Sequence, residues 1–334
     1  MMFTLDDSDP DQLSKNMKKI LAISDITVDY ECFRITKLKG GISNTIYCVT
    51  INSTDKLVFK IFGEGSEKFF NRQQEIEIRK LLSNNNLGAE FISQFSNGIC
   101  YRFIEGKDMF KNYDAKDPEI AALITTKMAQ IHQIPYQRKD ICLWPLLDML
   151  ISLVPEFKDS LVDGVFDTRQ DLTKELKFLR TLLENCSSPV VLCHNDLNLN
   201  NILYNISDNS IHFIDIELAG SNFAAYDIAN QIVQTCEFES YDNPKFDFIN
   251  DLPSKDFQLD WLSKYYTELN QEKTIEEILD TYNLVQKFIL CSHLCWGSFA
   301  LVQDKHSKID FKFKLYAKER LQEYSRWKNI VINV

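Results

Sequence analysis

Between residues 190 and 220 the chain reads VVLCHNDLNLNNILYNISDNSIHFIDIELAG, with His194, Asp196, Asn201, Asp215 and Glu217 set among Val, Ile, Leu and Phe. Hard oxygen donors of this kind suit Mg²⁺, which keeps several waters and takes one or two carboxylates together with substrate phosphates. Asp196 precedes Asn201 by five residues in a loop, where a carboxylate can accept the proton of an attacking hydroxyl. An Asp base, with Asn and Asp on a metal, is the arrangement of phosphoryl transfer from ATP.

The elements around these residues must bring them together. VVLC reads as a strand, HNDLNLN as a loop, NILYN as a second strand, ISDNS as a turn and IHFIDIEL as a third strand. With the turn centred on Asp208, Asn201 is expected opposite Asp215, at about 4.5–5.5 Å between Cα atoms. Asp215 and Glu217 then project from one face, about 7 Å apart. The plainer alternative is the wet face of an amphipathic strand. Against it stands the H-x-D-x-x-x-x-N loop followed by a hairpin whose register aligns an Asn with an Asp. His194 is expected to hold loop backbone and not to shuttle protons.

Upstream, the strand KLVFKIF carries Lys60, and the helix after it carries Glu75 on the face of Ile78 and Leu82. A strand Lys paired to a helix Glu is how kinase folds hold the α- and β-phosphates, the alternative being two surface charges on adjacent elements. The turn KGGISNT offers Gly41, Ser43 and Asn44, whose backbone N–H groups can face phosphate, although a hairpin also wants glycine there. Phe103 and Ile104, in YRFIEG, end the last strand and are candidates for a backbone contact to the adenine edge.

Strands at CFRITKLK, TIYCVTI and KLVFKIF, a helix, and a hairpin around Ser96-Asn97-Gly98 precede residue 105. Six amphipathic or apolar helical stretches follow, from EIAALITTKMAQIHQI to FKLYAKERLQEYSRWK. The expected fold is α+β and two-lobed: a small antiparallel sheet lobe over 1–104 that binds nucleotide, and a larger, mainly helical catalytic and substrate-binding lobe over 105–334, with a cleft between.

A formal charge of −11 repels nucleic acid and anionic membrane surfaces and favours small cationic ligands. Nine cysteines without a C-x-x-C pair indicate neither a disulfide framework nor a zinc ribbon. The acidic N-terminus lacks a secretory pattern, and the longest apolar run, FILCSHLCWGSFALV, is too short for a membrane span. A cytoplasmic protein is expected.

Taken together, GGISN, NGICYRFIEG, KMAQIH, CHNDLNLNNILY, FIDIELAGSNFAAYDIAN, SHLCWGSFALVQ and SKIDF with YA resemble the choline/ethanolamine kinase family, relatives of the aminoglycoside phosphotransferases with a protein-kinase-like fold. The resemblance runs from about Gly40 to Tyr324. It implies that Asp196 is the catalytic base, that Asn201 and Asp215 bind Mg²⁺ with Glu217 supporting a second metal position, and that Asp227 is a buried carboxylate bracing the loop. It places the acceptor near Trp296, Phe299 and Tyr316, for which core packing at helical spacing is the alternative.

The match loosens at the acceptor pocket. Leu218 stands where choline kinases of this type carry an aromatic residue, Phe299 where they carry a second tryptophan, and Gln234 where an acid is expected. Fewer aromatic faces weaken the grip on a quaternary ammonium by about 0.5–2 kcal/mol per lost contact. HNDL, IELAG and SKIDF also resemble the ethanolamine branch more than the choline branch. A primary ammonium needs acceptors, for which Glu237, Glu239 and Asp242 are candidates, a solvated loop being the alternative. The expected function is ATP- and Mg²⁺-dependent phosphorylation of the hydroxyl of ethanolamine, with choline as a second substrate and phospholipid head-group synthesis as its destination. The expectation includes no nucleic-acid partner and no stable membrane insertion, and leaves a homodimer open. The rivals are a kinase of another small alcohol and a pseudokinase scaffold.

Overall fold

The structure is a computed structural model that describes residues 3–38, 44–68, 70–110, 112–138, 140–156, 160–162, 165–236, 243–244, 247–307 and 309–332. Gly41, Ser43, Glu237, Glu239 and Asp242 therefore lie outside the described residues. The chain forms two compact units: Met1–Gly106 with Ile216–Leu218, and Lys107–Asp215 with Ala219–Val334.

The first unit opens with a helix, α1 (Pro10–Ile23), which the sequence reading did not identify. Its start is written in the sequence. Asp9 accepts from the N–H groups of Asp11 and Gln12, and Pro10 fills the first turn, where no N–H is needed. Leu13, Met17, Ile20 and Leu21 form its buried stripe and pack with Val49, Leu57, Phe59 and Ile61. Those last four belong to an antiparallel sheet in the order β1-β2-β3-β5-β4, comprising β1 (Arg34–Lys37), β2 (Asn44–Thr50), β3 (Lys56–Phe62), β4 (Phe91–Phe95) and β5 (Gly98–Arg102). The Asn97-Gly98 hairpin joins β4 to β5 as expected. A Cβ on Gly98 would collide with the Lys60 carbonyl, so the β3–β5 approach requires glycine. Alternation turns Leu57, Phe59 and Ile61 toward α1 and leaves Lys60 on the other face, where α2 (Arg72–Asn84) supplies its partner.

In the second unit, β6 (Lys107–Asp108) leads to α3 (Pro118–His132), α4 (Leu143–Leu153) and α5 (Arg169–Leu182). Then β7 (Val190–Cys193), β8 (Ile202–Asn205), β9 (Ser210–Phe213) and β10 (Gly220–Phe223) form two small antiparallel ribbons, β10-β7 and β6-β8-β9. The helices α6 (Ala224–Gln234), α7 (Phe248–Asp251), α8 (Lys255–Glu268), α9 (Ile275–His306) and α10 (Phe313–Ile332) complete the unit. A Thr274/Glu277 capping box starts α9. By length and composition α9 could cross a membrane, being longer than its apolar run suggests, yet 89% of its apolar window is buried inside the protein. It is the core helix against which α6 and α10 pack.

The fold is α+β, with mixed helices and antiparallel sheets as expected. One local expectation is corrected. The segment IHFIDIEL is not a single strand: β9 ends at Phe213, Asp215 turns to φ +56°, and Ile216–Leu218 form a 3₁₀ turn.

Candidate active site

Asp227, fully buried on α6, organises the loop after β7. Its Oδ2 accepts from the His194 N–H and its Oδ1 from the Asn195 N–H, both at 2.8 Å. The imidazole Nε2 of His132 lies 3.1 Å from Oδ2, and its Nδ1 lies 2.8 Å from the Tyr265 hydroxyl. Burial alone would raise the Asp227 pKa. The hydrogen bond and charge of His132, with His194 behind, overcome it and hold the carboxyl below its ordinary range.

Asn195 adopts φ +67°, a left-handed conformation that Asn tolerates better than most residues. Its side chain is clamped as well: Oδ1 accepts from Asn222 Nδ2 at 2.8 Å, and Nδ2 donates to Cys142 Sγ at 3.2 Å. His194 Nε2 lies 2.8 Å from the Ile214 carbonyl. A carbonyl only accepts, so the proton sits on Nε2, which leaves Nδ1 to accept from the Asp196 N–H at 3.3 Å. Burial lowers the pKa of this ring, which is thus a neutral tether for loop backbone.

These contacts deliver Asp196. Asn198 Nδ2 donates to its Oδ1 at 3.0 Å, and Asn201 Nδ2 donates to its Oδ2 at 3.3 Å and to its carbonyl at 2.8 Å. Each carboxylate oxygen thus holds an amide donor. With its nitrogen turned to Asp196, the Asn201 amide directs Oδ1 elsewhere, and no described residue donates to it. An amide oxygen so oriented, at the ribbon end that also carries Asp215, is a hard ligand set that fits Mg²⁺. The register differs from expectation by one: Ile202 pairs with Phe213, and the Ile214 N–H reaches the Asn201 carbonyl at 2.9 Å. Asn201 therefore faces Ile214, and Asp215 lies one residue beyond it.

His132, Cys193 and Asp227 place ligand atoms within 4.8 Å of one another. They form a brace and not a metal site: both Asp227 oxygens are taken, and burial pushes the Cys193 thiol far above its ordinary range.

In the first unit, Lys60 Nζ meets Glu75 Oε1 at 2.8 Å, with both side chains buried. Arg72, which sequence reading missed, takes the other oxygen of Glu75 at 2.7 Å. Glu217 joins this cluster: its Oε2 receives Asn44 Nδ2 at 2.9 Å, Arg72 at 3.1 Å and Lys60 at 3.4 Å. Arg72 also donates to Asn44 Oδ1 at 3.0 Å and lies over the Phe62 ring at 4.6 Å. Lys60 and Arg72 thus meet Glu75 and Glu217 in a mostly buried group. Burial would raise the Glu75 pKa, but Lys60, Arg79 and Arg72 hold it below its ordinary range. The spacing of Arg72, three residues before Glu75 on one helix face, was the signal available for it.

Phe103 spends its N–H on the Lys56 carbonyl at 3.0 Å, whereas the backbone of Ile104 meets no partner among the described residues. On α9, Trp296 and Phe299 meet edge to face at 5.5 Å, and Trp296 Nε1 donates to Asn230 Oδ1 at 2.7 Å. On α10, Tyr316 packs against Phe311 at 5.7 Å.

Residues 35–325 match the family model for choline/ethanolamine kinase. The chain is 32% identical over 317 residues to the probable ethanolamine kinase A of Dictyostelium discoideum, covering 91% of this chain and 88% of that protein. It is 31% identical over 304 residues to ethanolamine kinase 1 of Mus musculus, covering 86% and 82%. Among solved structures, a choline kinase from Cryptosporidium parvum superposes with a TM-score of 0.79 at 22% identity, covering 95% of this chain and 96% of that one. An ethanolamine kinase from Plasmodium vivax superposes with a TM-score of 0.77 at 23% identity, covering 95% and 89%. With a family model matched over most of its length and relatives of this identity and coverage, the chain belongs to the choline/ethanolamine kinase family.

Proposed function

We propose that this enzyme transfers the γ-phosphoryl group of ATP to the hydroxyl of ethanolamine, with choline as a weaker acceptor, and so supplies phosphoethanolamine for phospholipid head groups. Asp196 accepts the hydroxyl proton as the oxygen attacks. The observation that carries the reaction is the Asn201 amide, whose nitrogen fixes the Asp196 carboxylate and whose oxygen is left for a cation. The choice of acceptor rests on the names of the relatives and on the reduced set of aromatic residues.

Asn201 and Asp215 would hold Mg²⁺, with Glu217 at a second position. The bound metal would screen phosphate charge. Lys60, set by Glu75, would position the α- and β-phosphates beside the backbone at Gly41, Ser43 and Asn44, and Phe103 and Ile104 would border the adenine. Trp296, Phe299 and Tyr316 would receive the ammonium. The nine free thiols agree with a cytosolic protein. Light scattering on the purified chain would decide between monomer and homodimer.

An ADP-release assay with ethanolamine, choline, an aminoglycoside and a sugar tests the proposal. Ethanolamine is expected to give the largest kcat/KM, and Asp196→Ala to lower kcat by about 10²–10⁴-fold. Turnover of neither amino alcohol, or a fully active Asp196→Ala enzyme, overturns it.

A further inference from the structure

Arg320 on α10 is 2% exposed, and a guanidinium removed from water must be met by acceptors. Its NH1 donates to Tyr316 Oη at 3.3 Å and its NH2 to Ser292 Oγ at 2.9 Å. Ser292 Oγ donates in turn to Asn230 Oδ1 at 2.8 Å, and the same oxygen accepts from Trp296 Nε1 at 2.7 Å. One hydrogen-bonded chain therefore ends on two aromatic side chains from different helices.

The chemistry of the groups fixes the direction of each bond. Guanidinium and indole N–H groups only donate. Asn230 must then present its oxygen to Trp296, and Ser292 must receive from Arg320 and give to Asn230. The cost of that orientation is visible: Asn230 Nδ2 is buried without a partner among the described residues. Helical spacing sets the rest, since Ser292 and Trp296, like Tyr316 and Arg320, stand one turn apart on one face. Close approach of α9 and α10 is permitted by Gly297, where a Cβ would lie 3.0 Å from Leu321 and 3.6 Å from the Arg320 Cβ. Asn230 also follows Asp227 by one turn of α6, so the helix that braces the Asp196 loop is the one that anchors Trp296.

We infer that Arg320 is a positioning residue for the acceptor, setting the ring planes of Trp296 and Tyr316 through Ser292 and Asn230 and thereby the affinity for the amino alcohol. This rests on the kinase reading above, in which those two rings receive the ammonium. A cation is held by the face of a ring, so a tilted ring loses the contact while the phosphates and the base keep theirs.

The test compares Ser292→Ala, Arg320→Met and Arg320→Lys with the wild-type full-length chain, by KM for ethanolamine, KM for ATP and kcat. Breaking the relay at Ser292 or removing the fork at Arg320 is expected to raise KM for ethanolamine about tenfold, the scale of a lost buried hydrogen bond. KM for ATP and kcat should stay near wild type. Lysine reaches one of the two acceptors and should fall between. If Arg320→Met does not fold, Ser292→Ala alone decides. An unchanged KM for ethanolamine in Ser292→Ala, or parallel changes in KM for ATP and kcat that mark a merely structural role, overturns the proposal. A wild-type enzyme that phosphorylates neither ethanolamine nor choline overturns the kinase reading instead, and this proposal with it.

Discussion

Asn195 and Asp227, 32 residues apart in sequence, are joined by a bond of 2.8 Å from the backbone N–H of one to Oδ1 of the other. The bond fixes a left-handed residue immediately before Asp196, so the direction in which Asp196 leaves the loop is set from α6. The brace spends a fully buried carboxylate on backbone, with no part left for substrate. Position, not proton transfer, is what Asp227 contributes.

Asp227→Asn should therefore be costly although it is nearly isosteric. The amide has one acceptor oxygen for two backbone N–H groups and sets an NH₂ against one of them. Loss of a buried charge from a hydrogen-bonded group costs about 3–5 kcal/mol. Urea unfolding should show a fall of that order, together with reduced kcat. A variant within about 1 kcal/mol of wild type, well below that range, would mean that the loop holds itself.

Glu75 is shared between Lys60 and Arg72, one oxygen each. Glu75→Gln leaves two buried or partly buried cations with a single carboxylate, Glu217, between them. Lys60 is then free to follow Glu217, and the nucleotide loses its fixed counter-charge. KM for ATP should rise about tenfold or more, as for a lost charged hydrogen bond, while KM for ethanolamine changes little. Calorimetric titration with a non-hydrolysable ATP analogue checks this, and undiminished affinity would count against Lys60 as a phosphate ligand.

Acid should weaken the fold in two stages. His194 and His293 are buried with pKa values pushed down by burial, in His293 with help from Arg320. Below the ordinary histidine value of 6.5 the unfolded chain takes up protons that the folded chain does not. Stability should therefore decline as pH drops through 6.5 and continue toward the lowered folded values. Asp227 and Glu75, whose folded pKa values are depressed, act later: their contribution is complete above the ordinary 3.8 and 4.5 and is lost as pH falls through the folded values. Melting temperatures from pH 8 down to about 2 read both stages. A flat profile between pH 7 and 5 would show that the two histidines open to solvent before unfolding.

Much of this was legible in the residues. The Asn97-Gly98 hairpin, the Lys60 strand and the HND loop declared themselves through turn chemistry and spacing. The β8–β9 register did not, because a loop of four residues, Ile206 to Asn209, centres the ribbon between two residues and not on Asp208. Nothing local announces that Asp215 turns to φ +56°, or that Glu217 meets Lys60, Arg72 and Asn44. The partners of Asp227 come from α3 and from the loop after β7, and a contact set by tertiary packing leaves no periodic trace in either of them.

The acceptor preference offers a quantitative check. Choline carries no N–H, so its quaternary ammonium depends on ring faces and the general field, whereas ethanolamine can also donate hydrogen bonds to carbonyls or carboxylates. Phe299 is half-buried and meets Trp296 edge to face at 5.5 Å. An indole there presents a larger and more electron-rich face than a phenyl ring. Phe299→Trp should raise kcat/KM for choline by roughly two- to fivefold, equivalent to about 0.5–1 kcal/mol for one added cation–π contact. The value for ethanolamine should move less, since its other bonds are untouched. Competition between the two amino alcohols in one reaction reads the ratio directly and is insensitive to the active fraction of enzyme. A ratio that stays at the wild-type value in a folded variant would place Phe299 in the core and not against the ammonium.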